Sequence, residues 1–277
     1  MSREEIRKMS VVGTVESLCR YPVKSMRGEE LENAFVGFSG IYGDRLFAFK
    51  SSSSPEGFPY LTAREQKEML LYRPRFRHPD KAARPTNLAD AEKIAPGVTP
   101  VYADSTELVV DVETPSGEVL AIDDPALAET LTRSISDAGA LTVAWSDRAM
   151  TDCRPISLFA VQSAQELGAE VGFTIDKRRF RANVYMDLES AVGFAEDAFV
   201  GRRIQIGPKV VISILERDPR CKMITLDPDT GESSPEVLRE VAQAHDGMAG
   251  IYGAVLVEGT IQKGDVIVAL DSGDTPA

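Results

Sequence analysis

No apolar run in this chain is long. Glycine, proline and acidic turn residues cut the hydrophobic residues into short alternating stretches, and this punctuation limits the possible folds more than any other feature. Val11–Leu18, Leu31–Phe38 and Leu46–Lys50 read as strands, divided at Arg27-Gly28 and Gly43-Asp44. Leu108–Val112 and Glu118–Ile122 flank Pro115-Ser116-Gly117 and predict a hairpin. Further on, Phe180–Met186, Arg203–Ile206, Val210–Ile214, Ala254–Val257 and Val266–Leu270 read as strands between Gly201, Gly207, Gly259 and Gly264. Helix signals are few. Asp123-Asp124-Pro125 supplies a cap and a first-turn proline, and Leu127, Leu131 and Ile135 keep one face through to Gly139. Ser163–Leu167 reads as a short helix ending at Gly168, and Pro235–Ala244 as another. Many short strands with few helices predict a mainly β chain with peripheral helices (α+β), barrel-like in architecture. A break after Trp145 separates residues 1–145 from 146–277, two domains of ordinary size.

The remaining composition removes whole classes of function. The net charge of −12 argues against non-specific nucleic-acid binding. With no apolar stretch of about 18 residues, no transmembrane helix is expected. The start, MSREEIRKMS, lacks the apolar core of a secretory signal, so a cytoplasmic protein without membrane attachment is expected. Three scattered cysteines make no disulfide framework. Two histidines, His78 and His245, read as surface residues and argue against zinc sites and histidine-based triads. No Gly-x-Gly-x-x-Gly fingerprint, Walker loop or Cys-rich iron–sulfur segment is present.

One cysteine differs from the others. Cys221 sits among Arg217, Arg220 and Lys222, just ahead of the turn Asp227-Pro228-Asp229-Thr230-Gly231. Cations lower a thiol's pKa, and the thiolate is the form that ligates a soft metal or carries sulfur. Cys19 lies in a strand pattern and reads as core. Cys153, in Thr151-Asp152-Cys153-Arg154-Pro155, has either a packing role or a redox and sulfur role. Two basic stretches stand on the acidic background: Arg73, Arg75, Arg77, His78 and Lys81, then Lys177, Arg178, Arg179 and Arg181. Either marks a confined anion site, or, for the first, a solvated loop. Pro79 to Pro100 has little periodicity and reads as a long excursion.

Six segments in order carry a resemblance. Tyr21-Pro22-Val23-Lys24-Ser25, Gly43-Asp44-Arg45 and Leu61-Thr62-Ala63-Arg64 resemble the N-terminal β-barrel domain of the MOSC proteins. Phe180-Arg181-Ala182-Asn183, the segment from Arg220-Cys221 to Gly231, and Gly259-Thr260-Ile261-Gln262-Lys263-Gly264-Asp265 resemble the MOSC domain. The order and spacing are similar to the branch containing the mitochondrial amidoxime-reducing component and its bacterial relatives. The resemblance implies an N-terminal MOSC β-barrel domain over residues 1–145 and a C-terminal MOSC β-barrel domain over 146–277.

It also implies a molybdenum cofactor, a molybdenum-pyranopterin, with Cys221 as the catalytic residue and the metal's protein ligand. Lys24, Ser25, Arg45, Arg64, Asp152, Arg181, Asn183 and Arg220 match positions that grip such a cofactor. Arginine offers a planar fork suited to the pterin's phosphate, and lysine a point charge. Other readings stand beside these: Lys24 as a turn residue, Arg45 as an ion pair with Asp44, Arg181 as an edge-strand charge, Asn183 or Asp152 as a cap. The family also carries an association with pyridoxal phosphate binding. Where relatives have a small hydroxyl residue, this chain has Arg154. The implied activity is an oxidoreductase that reduces small N-hydroxylated compounds such as amidoximes, hydroxylamines and N-hydroxylated bases. No side chain need be a strong general acid. As the chain stops near the end of the barrel, the electrons would come from a separate ferredoxin-, flavodoxin- or cytochrome b5-like protein. The alternatives are a sulfur or molybdenum cofactor carrier using a Cys221 persulfide, and a non-catalytic binding module.

Overall fold

Residues 10–94, 99–133, 135 and 139–270 are described by the computed structural model. In chain order the strands are β1 (Ser10–Arg20), β2 (Glu29–Leu31), β3 (Asn33–Gly37), β4 (Gly40–Ile41), β5 (Phe47–Ser51), β6 (Arg73–Phe76), β7 (Val110–Glu113), β8 (Val119–Ala121), β9 (Leu141–Trp145), β10 (Ile156–Ala160), β11 (Val184–Leu188), β12 (Arg203–Ile206), β13 (Val210–Pro219), β14 (Met248–Val257), β15 (Gly259–Gln262) and β16 (Val266–Leu270). The helices are α1 (Leu88–Ile94), α2 (Pro125–Thr132), α3 (Val161–Val171) and α4 (Pro235–Ala244). The protein is therefore mainly β with peripheral helices.

β1 organises the larger half. Its first residues pair with β16 and its last with β2, while Gly13 to Leu18 run beside β11. Gly13 stands opposite both Leu188 and Ile267. A Cβ there would lie 2.9 Å from the Leu188 Cα, so only glycine lets the strands close. The order β1-β11-β10-β14-β13-β12-β16 returns to β1 and makes a closed seven-stranded barrel. Closure leaves no exposed edge in the ring. β10 and β11 pair in parallel, which requires a crossover, and α3 is that crossover.

Aliphatic residues on the inward period of these strands fill the barrel: Val15, Met186, Ile204, Ile212, Ile251 and Ile267 are all buried. On the outside, α3 and α4 lay Leu167, Val237 and Val241 against Phe159 and Phe180, whose rings stack at 4.1 Å. A second core, built on Phe35, Phe49, Met69, Leu108, Val110 and Leu131, lies under the smaller sheets β6-β7-β8 and β5-β9. Leu226, from just beyond Cys221, joins this second core. Strands from both sides of residue 146 share sheets: β1 completes the ring of later strands, and β15 extends β3 and β4.

Several expectations need correction. Phe180 ends a short 3-10 turn, Lys177–Phe180, and the strand begins at Val184. Arg181 takes a left-handed conformation between the two and breaks the apparent run. α3 continues past Gly168 to Val171 and ends at Gly172 (φ 82°), because Gly168 is pressed against the Phe173–Ile175 segment by packing rather than placed at a cap. β9 and β10, both apolar but without clean alternation, were not anticipated. α2 has its Asp124 cap, with Asp124 Oδ1 accepting from Ala126 N at 2.9 Å. It ends at Thr132, and residues 134 and 136–138, expected in the same helix, lie outside those described, as does the start of the chain. Within the Pro79–Pro100 excursion, Leu88–Ile94 is helical, and residues 95–98 again lie outside those described. The first basic stretch is strand at Arg73–Phe76 and turn beyond it, at Arg77, His78 and Lys81. In and beside β6, Arg73 and Arg75 pair with Glu113, Arg77 with Asp111 and Lys81 with Glu107, at exposed or half-buried positions. Among the described residues no helix is long and apolar enough to cross a membrane.

Candidate functional site

The first two motifs of the resemblance are joined directly by hydrogen bonds from the backbone. Tyr21 N donates to Asp44 Oδ1 (2.8 Å), Arg45 N to Tyr21 O (2.6 Å), and Lys24 N to Phe47 O (2.8 Å). These bonds bring Lys24, Ser25 and Arg45 to one rim. Ser25 (φ 65°) and Arg45 (φ 47°) adopt left-handed backbone, as does Arg181 (φ 53°) on the facing element. L-residues rarely accept this geometry, and strain of this kind concentrates at functional sites. All three line one cleft.

The cleft encloses about 320 Å³ between the barrel and the smaller half. Lys24, Ser25, Arg45, Arg64, Asp152, Arg181, Asn183, Arg220 and Cys221 all line it. With Arg154 and Arg179 its walls carry seven cations against two carboxyls, Asp152 and Asp218, on a chain whose net charge is −12. Low-dielectric walls of one sign attract the opposite sign.

These residues do different work. Lys24 is buried, donates to Met150 O at 2.8 Å, pairs with Asp152, and lies near the rings of Phe58 and Tyr60. Burial raises the Asp152 pKa, but the Lys24 ammonium outweighs it and holds the carboxyl below its ordinary value. Arg45 is paired to the fully buried Asp44 and donates Nη2 to Arg181 O at 3.0 Å. Arg45 and Arg181 both sit against the Tyr21 ring, at 4.6 and 4.3 Å. One terminal nitrogen of Arg181, Nη2, is buried without a hydrogen-bond partner, as is the Nε of Arg179. Such orphaned donors suit an anion.

Two of the residues are committed to the walls. The Asn183 amide bonds Ser157 and Cys19 O, locking β10 to the turn before β11. Arg220 donates Nε to Ala249 O (2.6 Å) and Nη1 to Phe180 O (2.9 Å), with Nη2 2.7 Å from Asp218. Arg64 keeps its guanidinium over Phe58. Gly250 (φ 82°) gives Arg220 this room, since a Cβ there would be 3.0 Å from Nη2 and 2.9 Å from Leu158 O. Gly250→Ala should therefore cost about 2 kcal/mol or more, from left-handed strain and backbone crowding. Denaturant unfolding measures it, and a neutral result would contradict the packing.

Cys221 is half-buried and precedes the 3-10 turn Lys222–Thr225. Its expected trio of attendant cations needs correction. Arg217 pairs with Asp197 and Asp246, and Lys222 donates to Arg64 O at 3.0 Å. Of the three, only Arg220 lines the cleft. Local sequence put the cations nearby, but strand alternation in β13 points Arg217 elsewhere. Downstream, Asp227 Oδ1 accepts from Asp229 N and Thr230 N, each at 3.0 Å, so the turn holds its own shape. Of the second basic stretch, Arg179 and Arg181 reach the cleft, while Lys177 pairs with Glu16 and Arg178 with Asp176 and Asp229. Cys19 is core, its thiol pushed up to about 12 chiefly by burial. Cys153 lines the cleft but is exposed, with Sγ 3.6 Å from Glu216 Oε1, an oxygen shared with Arg154. Among the described residues no group of three or more His, Cys, Asp or Glu is placed to hold a metal ion.

Sequence reasoning missed Asp218 and Tyr252, while Arg179 was singled out only as part of its basic stretch. Asp218 is 2% exposed and lies beside Tyr252 and Arg220 in the cleft wall. Burial is the main cause that pushes its pKa up to about 6, with Arg220 and the Tyr252 hydroxyl pulling it back. The one available signal was a lone aspartate two places before an arginine, which is not distinctive. Because the folded carboxyl binds its proton more tightly than the unfolded one, its contribution to stability is full in acid and is lost as pH rises through about 6. Between about pH 4 and pH 7, Asp218→Asn should gain roughly 3 kcal/mol relative to the wild type. Denaturant unfolding across that range checks this, and a pH-independent difference would refute it.

Comparison with known proteins adds the family. Residues 12–107 match the MOSC N-terminal beta barrel domain, and residues 146–268 match the MOSC domain. No curated protein matches the chain. Among solved structures, the YUAD protein from Bacillus subtilis is 14% identical, covering 94% of this chain and 97% of its own, with a TM-score of 0.45. YiiM from Geobacillus stearothermophilus is 19% identical over 43% of this chain and 56% of its own (TM-score 0.35). YiiM from Escherichia coli is 10% identical over 45% and 58% (TM-score 0.32). The two matches, in order along the chain, identify this protein as one that carries a MOSC N-terminal beta barrel domain followed by a MOSC domain.

Proposed function

We propose that this protein is a molybdenum cofactor-dependent reductase of small N-hydroxylated compounds, with Cys221 as the metal's protein ligand. MOSC domains are associated with molybdenum cofactor binding. The observation that carries the reading is the cleft itself: one half-buried thiol among seven cations, two of which hold buried nitrogens without partners. This donor set fits a phosphorylated pterin carrying a soft metal centre. Arg181, Arg45, Lys24 and Ser25 would hold the anionic end, and Cys221 would present its sulfur. When bound, the cofactor supplies two-electron removal of oxygen from an N–O group. The chain's own residues bind and orient: the Asp44–Arg45 pair fixes the rim, and Arg220 fixes the wall that carries Cys221. The electron donor in this reading is a separate electron-transfer protein, ferredoxin-, flavodoxin- or cytochrome b5-like.

The test is benzamidoxime reduction with an artificial electron donor, on protein produced with an intact cofactor pathway. Turnover at near-stoichiometric molybdenum is expected, and loaded protein without turnover would refute the reductase reading. A second reading, a sulfur carrier, draws support from Cys153, which places another thiol in the same cleft. It predicts a labile adduct of one sulfur mass on Cys221 together with no N-hydroxyl reduction.

A further inference from the structure

We infer that Asp218 is the proton donor of the cleft, delivering a proton to the oxygen that leaves the substrate nitrogen, with Tyr252 linking it to solvent. The inference rests on the reductase reading above. Reductive cleavage of an N-hydroxyl group breaks the N–O bond, consumes two electrons from the separate donor protein, and needs two protons. One proton goes to nitrogen, and the other converts the departing hydroxyl to water. A positioned side chain that already carries such a proton can deliver it as the bond breaks.

Two carboxyls line the cleft, and their surroundings separate their roles. Asp152 is half exposed and paired with the Lys24 ammonium, which keeps it ionised and makes it a binding group. Asp218 is 2% exposed, behind Arg220 and hydrogen-bonded by the Tyr252 hydroxyl. Environments that drive two carboxyls apart assign one of them as the acid. Asp218 meets these charged and titratable groups: Arg220 from just past the end of β13, Tyr252 from β14, Arg45 from the smaller half, and Asp152 with Cys153 from the segment between β9 and β10. The two cations favour its ionised form, while burial and Asp152 favour the protonated one, and burial prevails. Tyr252 is itself raised, first by burial and then by Asp218, so it keeps its proton and can serve as a relay.

The test has two arms. In the first, cofactor-free protein carrying carbon-13 at the aspartate carboxyls is titrated by NMR. One resonance, absent from Asp218→Asn, should move with a midpoint near the value of about 6 that burial gives this group. A midpoint in the ordinary carboxylate range overturns the inference. In the second, loaded protein is assayed against pH with the artificial donor. Asp218→Asn should lower kcat by roughly 10²-fold at unchanged molybdenum content and remove the fall in rate on the alkaline side, and Asp218→Glu should restore part of both. Tyr252→Phe, which deletes one hydrogen bond and little volume, should displace that limb to higher pH, and it serves if Asp218→Asn does not fold. Variants with the wild-type rate and profile overturn the donor role while leaving the reductase reading intact. A loaded wild type that reduces no N-hydroxyl substrate overturns both.

Discussion

Cys221→Ser is expected to abolish N-hydroxyl reduction and strip the protein of molybdenum without unfolding it. Serine replaces a soft thiolate with a hard hydroxyl that stays protonated at neutral pH, and a soft metal centre loses its protein ligand. Losing an outer-shell partner of a metal typically costs about 10–100-fold, so losing the ligand itself should cost more than about 100-fold in retained metal and turnover. Stability should change by less than about 0.5 kcal/mol. The residue is half-buried, its backbone is extended (φ −123°), and its carbonyl accepts from Ile224 N, none of which needs sulfur. Metal analysis beside a chemical unfolding curve separates the two effects. Full retention of molybdenum by the variant would remove Cys221 from the site.

Arg45→Met is expected to have the largest effect on stability of any cleft substitution. Asp44 is fully buried, with Tyr21 N and the Arg45 guanidinium as its partners. Removing one member of a buried pair leaves the other charge uncompensated, which costs about 3–5 kcal/mol. The change should also free Arg181 O and loosen the rim that holds Lys24 and Ser25, so cofactor content falls together with stability. Asp44→Asn in the same chain should restore part of the loss, because the orphaned charge is then gone. A loss below about 1 kcal/mol would mean that this pair behaves as a solvated surface bridge.

The ion pair of Arg45 does not take it out of the cleft. The side chain pairs with Asp44 through Nη1, bonds Arg181 O through Nη2, and lines the cleft as well. Arg220 shows the opposite outcome. Its place beside Cys221 suggested a free cation, yet its nitrogens are taken by Ala249 O, Phe180 O and Asp218. Sequence proximity says which side chains can meet, but not whether their donors are already occupied. Asp218 was hidden for a related reason, since its chemistry comes from burial and from Tyr252, a residue 34 positions away in the chain.

Local pattern alone determined the mainly β character, the Asp124 cap, the Asp227–Gly231 turn and the ordered motifs that mark the family. Each depends on backbone preference or short-range hydrogen bonding, which a few neighbouring residues encode. Ring closure through β1, the left-handed turns at Ser25, Arg45 and Arg181, and the meeting of seven cations in the cleft that Cys221 lines were decided by the tertiary structure. Strand partners and shared cavities join residues far apart in sequence. Their energies come from burial and mutual charge, quantities that exist only once the chain has folded.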